Sequence, residues 1–213
     1  MIDLGASDSA LVALAQRIAG DDAADTIRLL DASPALAHAS FEAGVTRQTA
    51  AAYLDEFGRY FFDGDTALHI AAGAYRTDVA QKLIAMGADV RARNRRGAEP
   101  LHAAAVGMPG SQAWNPSAQE ATIACLIRAG ADPNAIDNSG VTPLHRAVRT
   151  RCAAAVKALL AGGADPRRKN KSGSTPMLLA TENTGRGGSG SPEAKAQQQE
   201  IQRLLRQHGA AAA

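Results

Sequence analysis

The chain repeats itself, and this constrains its fold more than any other property. The stretches GDTALHIAA (64–72), GAEPLHAAA (97–105), GVTPLHRAV (140–148) and GSTPMLLAT (173–181) share one pattern. Their third residues, at 66, 99, 142 and 175, are separated by steps of 33, 43 and 33. Each stretch is followed by a matching second half: VAQKLIAMGADVRAR (79–93), TIACLIRAGADPNAI (122–136), AVKALLAGGADPRRK (155–169) and a fading IQRLLRQHGA (201–210). A unit this small cannot bury its own apolar face, so units must stack, and those at the two ends must differ from the rest.

The chemistry of one unit says what it folds into. Thr142 is placed to cap a helix by accepting a backbone N–H, and Pro143 suits the first helical position, where its missing donor is not needed. Leu144, Ala147 and Val148 follow at helical spacing. In AGGADP, Gly162 or Gly163 ends a second helix in the left-handed conformation. DPRRKNKSG then reads as an extended excursion and turn. Alanine dominates the 46% hydrophobic content and aromatics make up only 4%, which suits closely packed helices better than a sandwich or barrel.

Taken together, the 33-residue period, the G-x-T-P-L-H start and the G-A-D ending closely resemble the ankyrin repeat. The resemblance covers residues 61–210. It implies an all-α solenoid of stacked helix–turn–helix units joined by β-hairpin fingers, with modified caps at both ends. The expected organisation is a degenerate N-terminal cap over 1–62, then a stack over 63–210. Within the stack the units run about 61–93, 94–136, 137–169 and a degenerate cap, 170–210. Insertions at 107–119 and 183–196 separate the two helices of the second and last units. The aromatic-rich segment 38–62 reads as a helix plus a packing plug, with an exposed ligand platform as the alternative. Glycine-rich GRGGSGS in the last insertion lacks the lysine and preceding strand of a phosphate loop and reads as a linker.

Repetition also assigns roles. His69, His102 and His145 recur at one place per unit with no acid or nucleophile repeating beside them. With Thr142, they read as hydrogen-bond tethers; in the resembled family this histidine joins the Thr hydroxyl and nearby backbone and links adjacent units. About 10 Å apart in such a stack, the three rings cannot share a metal at bonds of about 2 Å. Asp89, Asp132 and Asp165 recur in the G-A-D turns, where they satisfy backbone donors. No catalytic triad, metal-ligand set or cofactor loop stands outside the repeat, so no enzyme, cofactor or small-molecule substrate is expected.

The residues that do not repeat are the ones available to choose a partner. Residues 1–62 carry four Lys/Arg against nine Asp/Glu, while 63–213 carry nineteen against twelve, so the overall +2 hides a basic second part. Carried over by position, the family's binding surface consists of finger tips and first-helix ends. Here that surface offers Arg93, Arg95, Arg96, Asn138, Arg149, Lys169 and Lys171, with Arg91, Arg151 and Arg168 as their immediate neighbours. Arginine forks suit carboxylates, so the expected partner is an acidic protein segment. Nucleic acid or another polyanion is the alternative, disfavoured by the scarcity of aromatics among these arginines. Trp114, in the first insertion, either anchors a partner or packs down to close its own loop. Arg91 and Arg167 replace the asparagine found at Asn134, so the first and third fingers are either looser or adapted for binding.

Cys125 and Cys152 are too few for a disulfide framework and sit in apolar, helix-like runs, which points to free thiols in a reducing, cytoplasmic setting. No run of eighteen apolar residues spans a membrane. The first twenty residues lack a basic leader, so no signal peptide is expected, with export by a leaderless route as the alternative to a cytoplasmic location. Alanine- and arginine-rich usage fits a bacterial source.

Overall fold

The computed structural model describes residues 6–20, 22–42, 53–54, 59–107, 109, 114–182 and 192–210. Among the described residues ten α-helices follow one another as five pairs: α1 (Ala6–Ala19) and α2 (Ala23–Ala32), α3 (Ala67–Gly73) and α4 (Thr77–Ala85), α5 (Pro100–Ala104) and α6 (Pro116–Arg128), α7 (Pro143–Arg149) and α8 (Ala153–Ala161), α9 (Pro176–Thr181) and α10 (Pro192–Gln207). Each helix packs on its pair mate and on its counterparts in neighbouring pairs. One row therefore runs α1–α3–α5–α7–α9 and a second runs α2–α4–α6–α8–α10. The pairs are piled in a single file.

Local chemistry sets the boundaries. Thr66, Thr142 and Thr175 accept the amides of His69, His145 and Leu178 at 3.4, 3.3 and 3.2 Å, closing the starts of α3, α7 and α9. Pro100, Pro143 and Pro176 open their helices, where no donor is lost. Of the two glycines offered for the end of α8, Gly163 takes the left-handed role with φ +93°. Between the rows, Ala71, Ala72, Ala104, Ala105 and Ala147 are fully buried; with no side chain beyond Cβ, they let neighbouring helices approach closely.

At the N-terminal end, α1 and α2 stack on α3 and α4 as a preceding pair, and Arg76 donates to the last carbonyls of α1, Ile18 O at 3.0 Å and Ala19 O at 3.2 Å. Within segment 38–62, where a helix and a packing plug are expected, the described residues 53–54 and 59–60 are strand. Tyr53–Leu54 (β1) pairs antiparallel with Arg59–Tyr60 (β2), with Tyr53 opposite Tyr60. Tyr53 and Tyr60 carry the strand preference of aromatic residues, and in these short segments it overrides a weak helical spacing. Residues 43–52 and 55–58 lie outside the described residues. Phe41 and Phe61 are both buried and stack with ring centroids 4.1 Å apart, which is the geometry of a plug.

The insertions are shorter than the sequence suggests, because helix extends into both. Asn115 accepts the Ala118 amide at 3.0 Å and Pro116 opens α6, so 116–119 are helical. Likewise α10 begins at Pro192. Residues 108, 110–113 and 183–191 lie outside the described residues, and with them GRGGSGS. At the C-terminal end Ile201, Leu204 and Leu205 are buried beneath the polar face of α10.

Candidate interaction face

Each repeated histidine bridges two units. His69 Nδ1 accepts the Thr66 amide at 3.1 Å, and its Nε2 faces the Ala98 carbonyl of the next unit at 3.0 Å. His102 does the same with the Glu99 amide (3.1 Å) and Val141 O (3.0 Å), as does His145 with the Thr142 amide (3.3 Å) and Ser174 O (3.1 Å). An amide can only donate, so Nδ1 carries the lone pair and Nε2 the proton, which fixes one neutral tautomer. Burial pushes all three rings below the ordinary histidine pKa, His102 to about 3. These residues are structural ties.

The fingers are tied to one another by main-chain bonds. Phe41 N–H donates to Asp65 O (2.9 Å), Arg95 N–H to Asp63 O (2.7 Å), Asn138 N–H to Arg96 O (2.9 Å) and Lys171 N–H to Ser139 O (3.1 Å). Within each finger an Asx side chain braces the turn. Asn94 Oδ1 accepts from the Arg96 and Ala98 amides, Asp137 Oδ1 from those of Ser139 and Val141, and Asn170 Oδ1 from those of Ser172 and Ser174. Gly97 is needed for this close approach: with φ +70°, a Cβ there would lie 2.4 Å from Asn138 Oδ1. Consecutive tips thus form one continuous edge.

Along that edge the basic residues differ in how far they are used up. Arg91 Nε donates to Gly130 O at 2.9 Å, and Arg167 Nε to Gly209 O at 2.9 Å, just as Asn134 Nδ2 donates to Gly163 O at 2.9 Å. The first and third fingers are therefore not looser. Their arginines make the same tie to the next unit that the asparagine makes, and Asp89, Asp132 and Asp165 each accept the amide two residues on. Arg93 donates to Gly97 O (3.2 Å) and to Ile136 O on the adjacent finger. Asn138 Nδ2 reaches Arg95 O at 3.0 Å and Lys171 Nζ reaches Asn138 O at 2.8 Å. Arg96 lies over the Phe62 ring, 5.0 Å from its centroid. Arg96, Arg168 and Lys169 are exposed and form no ion pair among the described residues. Arg149 is half-buried at the end of α7.

Arg151 requires a correction. Its side chain is only 1% exposed, so it is not a surface for a partner. It donates to Ala180 O at 3.2 Å and Glu182 O at 2.7 Å, tying α7 to the end of α9. Its φ of +60° matches the +59° of Tyr75. Both residues stand nine positions after the cap residue of their unit, and Tyr75 Oη donates to Val106 O of the next unit. Arg151 therefore occupies a repeated position, one that sequence reasoning counted as unique because the two side chains have nothing chemical in common.

Trp114 shows the loop-closing geometry of its two readings. Half-buried, it donates to Gln119 Oε1 at 2.9 Å, and buried Gln119 donates in turn to Ala104 O at 2.9 Å. Gly107 is backed so closely that a Cβ there would lie 2.8 Å from Trp114 Nε1 and 2.7 Å from Cys152 Sγ. Other features of the site escaped the sequence reading. Asp137 and Arg146 form a largely buried pair at 2.8 Å. Burial opposes ionisation of Asp137, but the Arg146 hydrogen bond and the Val141 and Ser139 amides outweigh it and hold the carboxyl below its ordinary range. Ile136 stands 38% exposed on the central finger.

Models of the ankyrin repeat match residues 63–95, and of ankyrin repeats in many copies residues 126–180. Residues 63–95 and 126–180 are ankyrin repeats. The chain is similar to the E3 ubiquitin-protein ligase KEG of Arabidopsis thaliana, 39% identical over 97 residues that make up 44% of this chain and 6% of the relative. It is also similar to Neurogenic locus notch homolog protein 1 of Danio rerio, 32% identical over 108 residues, 39% of this chain and 4% of the relative. The chain thus spans a small part of the length of these curated relatives. Ankyrin repeats as a family are non-enzymatic protein–protein interaction modules. Among the described residues no group of three or more His, Cys, Asp or Glu could hold a metal ion, and no helix is long and apolar enough to cross a membrane.

Proposed function

We propose that this ankyrin stack binds an acidic segment of another protein along its basic finger tips and the concave face beside them. The observation that carries this reading is the distribution of charge along the bonded finger edge. Asp137 is spent internally on Arg146 and two amides, while Arg96, Arg168 and Lys169 stay exposed and without an acid among the described residues. Arg91, Arg93, Arg95, Asn138, Arg149 and Lys171 complete the surface, and its excess positive charge speeds encounter in a salt-dependent way. The buried, unbridged thiols of Cys125 and Cys152 are in keeping with a reducing compartment such as the cytoplasm.

The test is binding of a glutamate-rich peptide, followed by fluorescence anisotropy at rising salt. The natural chain is expected to bind and to weaken as salt rises. Combined Arg96→Ser, Arg168→Ser and Lys169→Ser should abolish binding while leaving folding stability within about 1 kcal/mol, as surface changes usually do. Unchanged binding by the triple variant would overturn the proposal.

A further inference from the structure

Three residues stand six positions before the cap residue of successive units: Arg93 before Glu99, Ile136 before Thr142 and Lys169 before Thr175. All three are exposed. Their fingers are bonded in sequence, and the Arg93 guanidinium donates to the main-chain oxygen of Ile136 itself. The row therefore reads cation, apolar, cation. The central finger adds no free charge to it, because the Asp137 carboxylate is turned inward and Asn138 spends its amide on Arg95 O. A large aliphatic side chain exposed to water between two basic fingers gains by being covered, and uniform negative charge would leave it uncovered.

From this row we infer that the partner's segment is bipartite: an acidic cluster for each flanking finger, and one apolar residue between them seated on Ile136. The inference rests on the acidic-partner reading above. Neighbouring units place their helices about 8–10 Å apart, so the first and third fingers lie roughly 16–20 Å from each other. An extended chain advances about 3.3 Å per residue, so about five or six residues separate the two acidic clusters, with the apolar one midway.

Anisotropy of labelled peptides against the full chain tests it. One peptide carries split acidic clusters with a central leucine. A second has the same composition with its acids contiguous, and a third is the split peptide with serine at the centre. A single-stranded oligonucleotide of equal charge is the fourth probe. The split leucine peptide is expected to bind about tenfold more tightly than the other two peptides. Ile136→Ser should erase its advantage over the serine peptide without changing the thermal midpoint. Equal binding of the split and contiguous peptides overturns the spacing while leaving an acidic partner intact. No binding by any peptide overturns the acidic-partner reading itself, and tighter binding of the oligonucleotide overturns both in favour of a nucleic acid.

Discussion

His102 accepts the Glu99 amide on Nδ1 and donates from Nε2, so a second proton on the ring breaks one of its two bonds. Burial lowers its pKa from 6.5 to about 3. The unfolded chain takes up that proton below pH 6.5 and the folded chain does not until far lower. Stability is therefore complete above pH 6.5 and falls with pH below it, by about 1.4 kcal/mol per unit for His102. His69 and His145 are lowered too and act in the same direction. Glu99 acts in the opposite direction. Burial raises its pKa, and its Oε2 is buried without a hydrogen-bond partner, so its penalty grows as pH rises through the folded value. The thermal midpoint should drop from about pH 7 to about pH 5.5, and His102→Gln should flatten the profile; a midpoint constant over that range contradicts the account. Glu99 also stands where Thr66 and Thr142 cap their helices. Glu99→Thr should stabilise the fold by about 1 kcal/mol in urea unfolding, by removing the unpaired oxygen and supplying a capping hydroxyl; a loss of stability would show that Arg93 beside it outweighs the burial.

Whether an element could be read from the sequence depended on whether its cause was local. The caps Thr66, Thr142 and Thr175, the opening prolines and Gly163 act within a few residues, and the structure places each where the repeat implied. The start of α6 is equally local in cause, since Asn115–Pro116 is a cap and first-position pair inside the expected insertion 107–119. The ties between elements were visible only where one residue type recurs, as with the histidines. Arg91, Asn134 and Arg167 share a task but not a chemistry, and so do Tyr75 and Arg151, so no sequence pattern marks either set as equivalent. Ile136 carries no such signal, because a lone apolar residue in a finger does not reveal from sequence whether it is covered. Arg151 offers the sharpest check. Arg151→Ala removes two bonds to the end of α9 and leaves buried space, and should cost about 2–4 kcal/mol in urea unfolding. A cost below about 0.5 kcal/mol, typical of surface positions, would return it to the binding face.

On the scale of the whole molecule, stability is carried by contacts between neighbours, because each pair of helices packs on the next and on little else. The ties are not evenly spread. His69 and His102 hold units that are flanked on both sides, whereas His145 is the last histidine of the series, and Leu178 at the next position has no ring to pass the link on. The final pair, α9 and α10, is therefore held to the stack by His145, by Arg151, by the bonds from Arg167 to Gly209 and from Lys171 to Ser139 and Asn138, and by the Ala153 amide donating to Gln197 Oε1. Cutting the histidine link there should release that end first. In His145→Ala, native-state hydrogen exchange should show protection falling in α9 and α10 by about 1–3 kcal/mol, while α3 and α4, two units away, keep theirs. Equal loss in every helix would mean that the stack unfolds as one block, and that the coupling between neighbours exceeds the stability of any single unit.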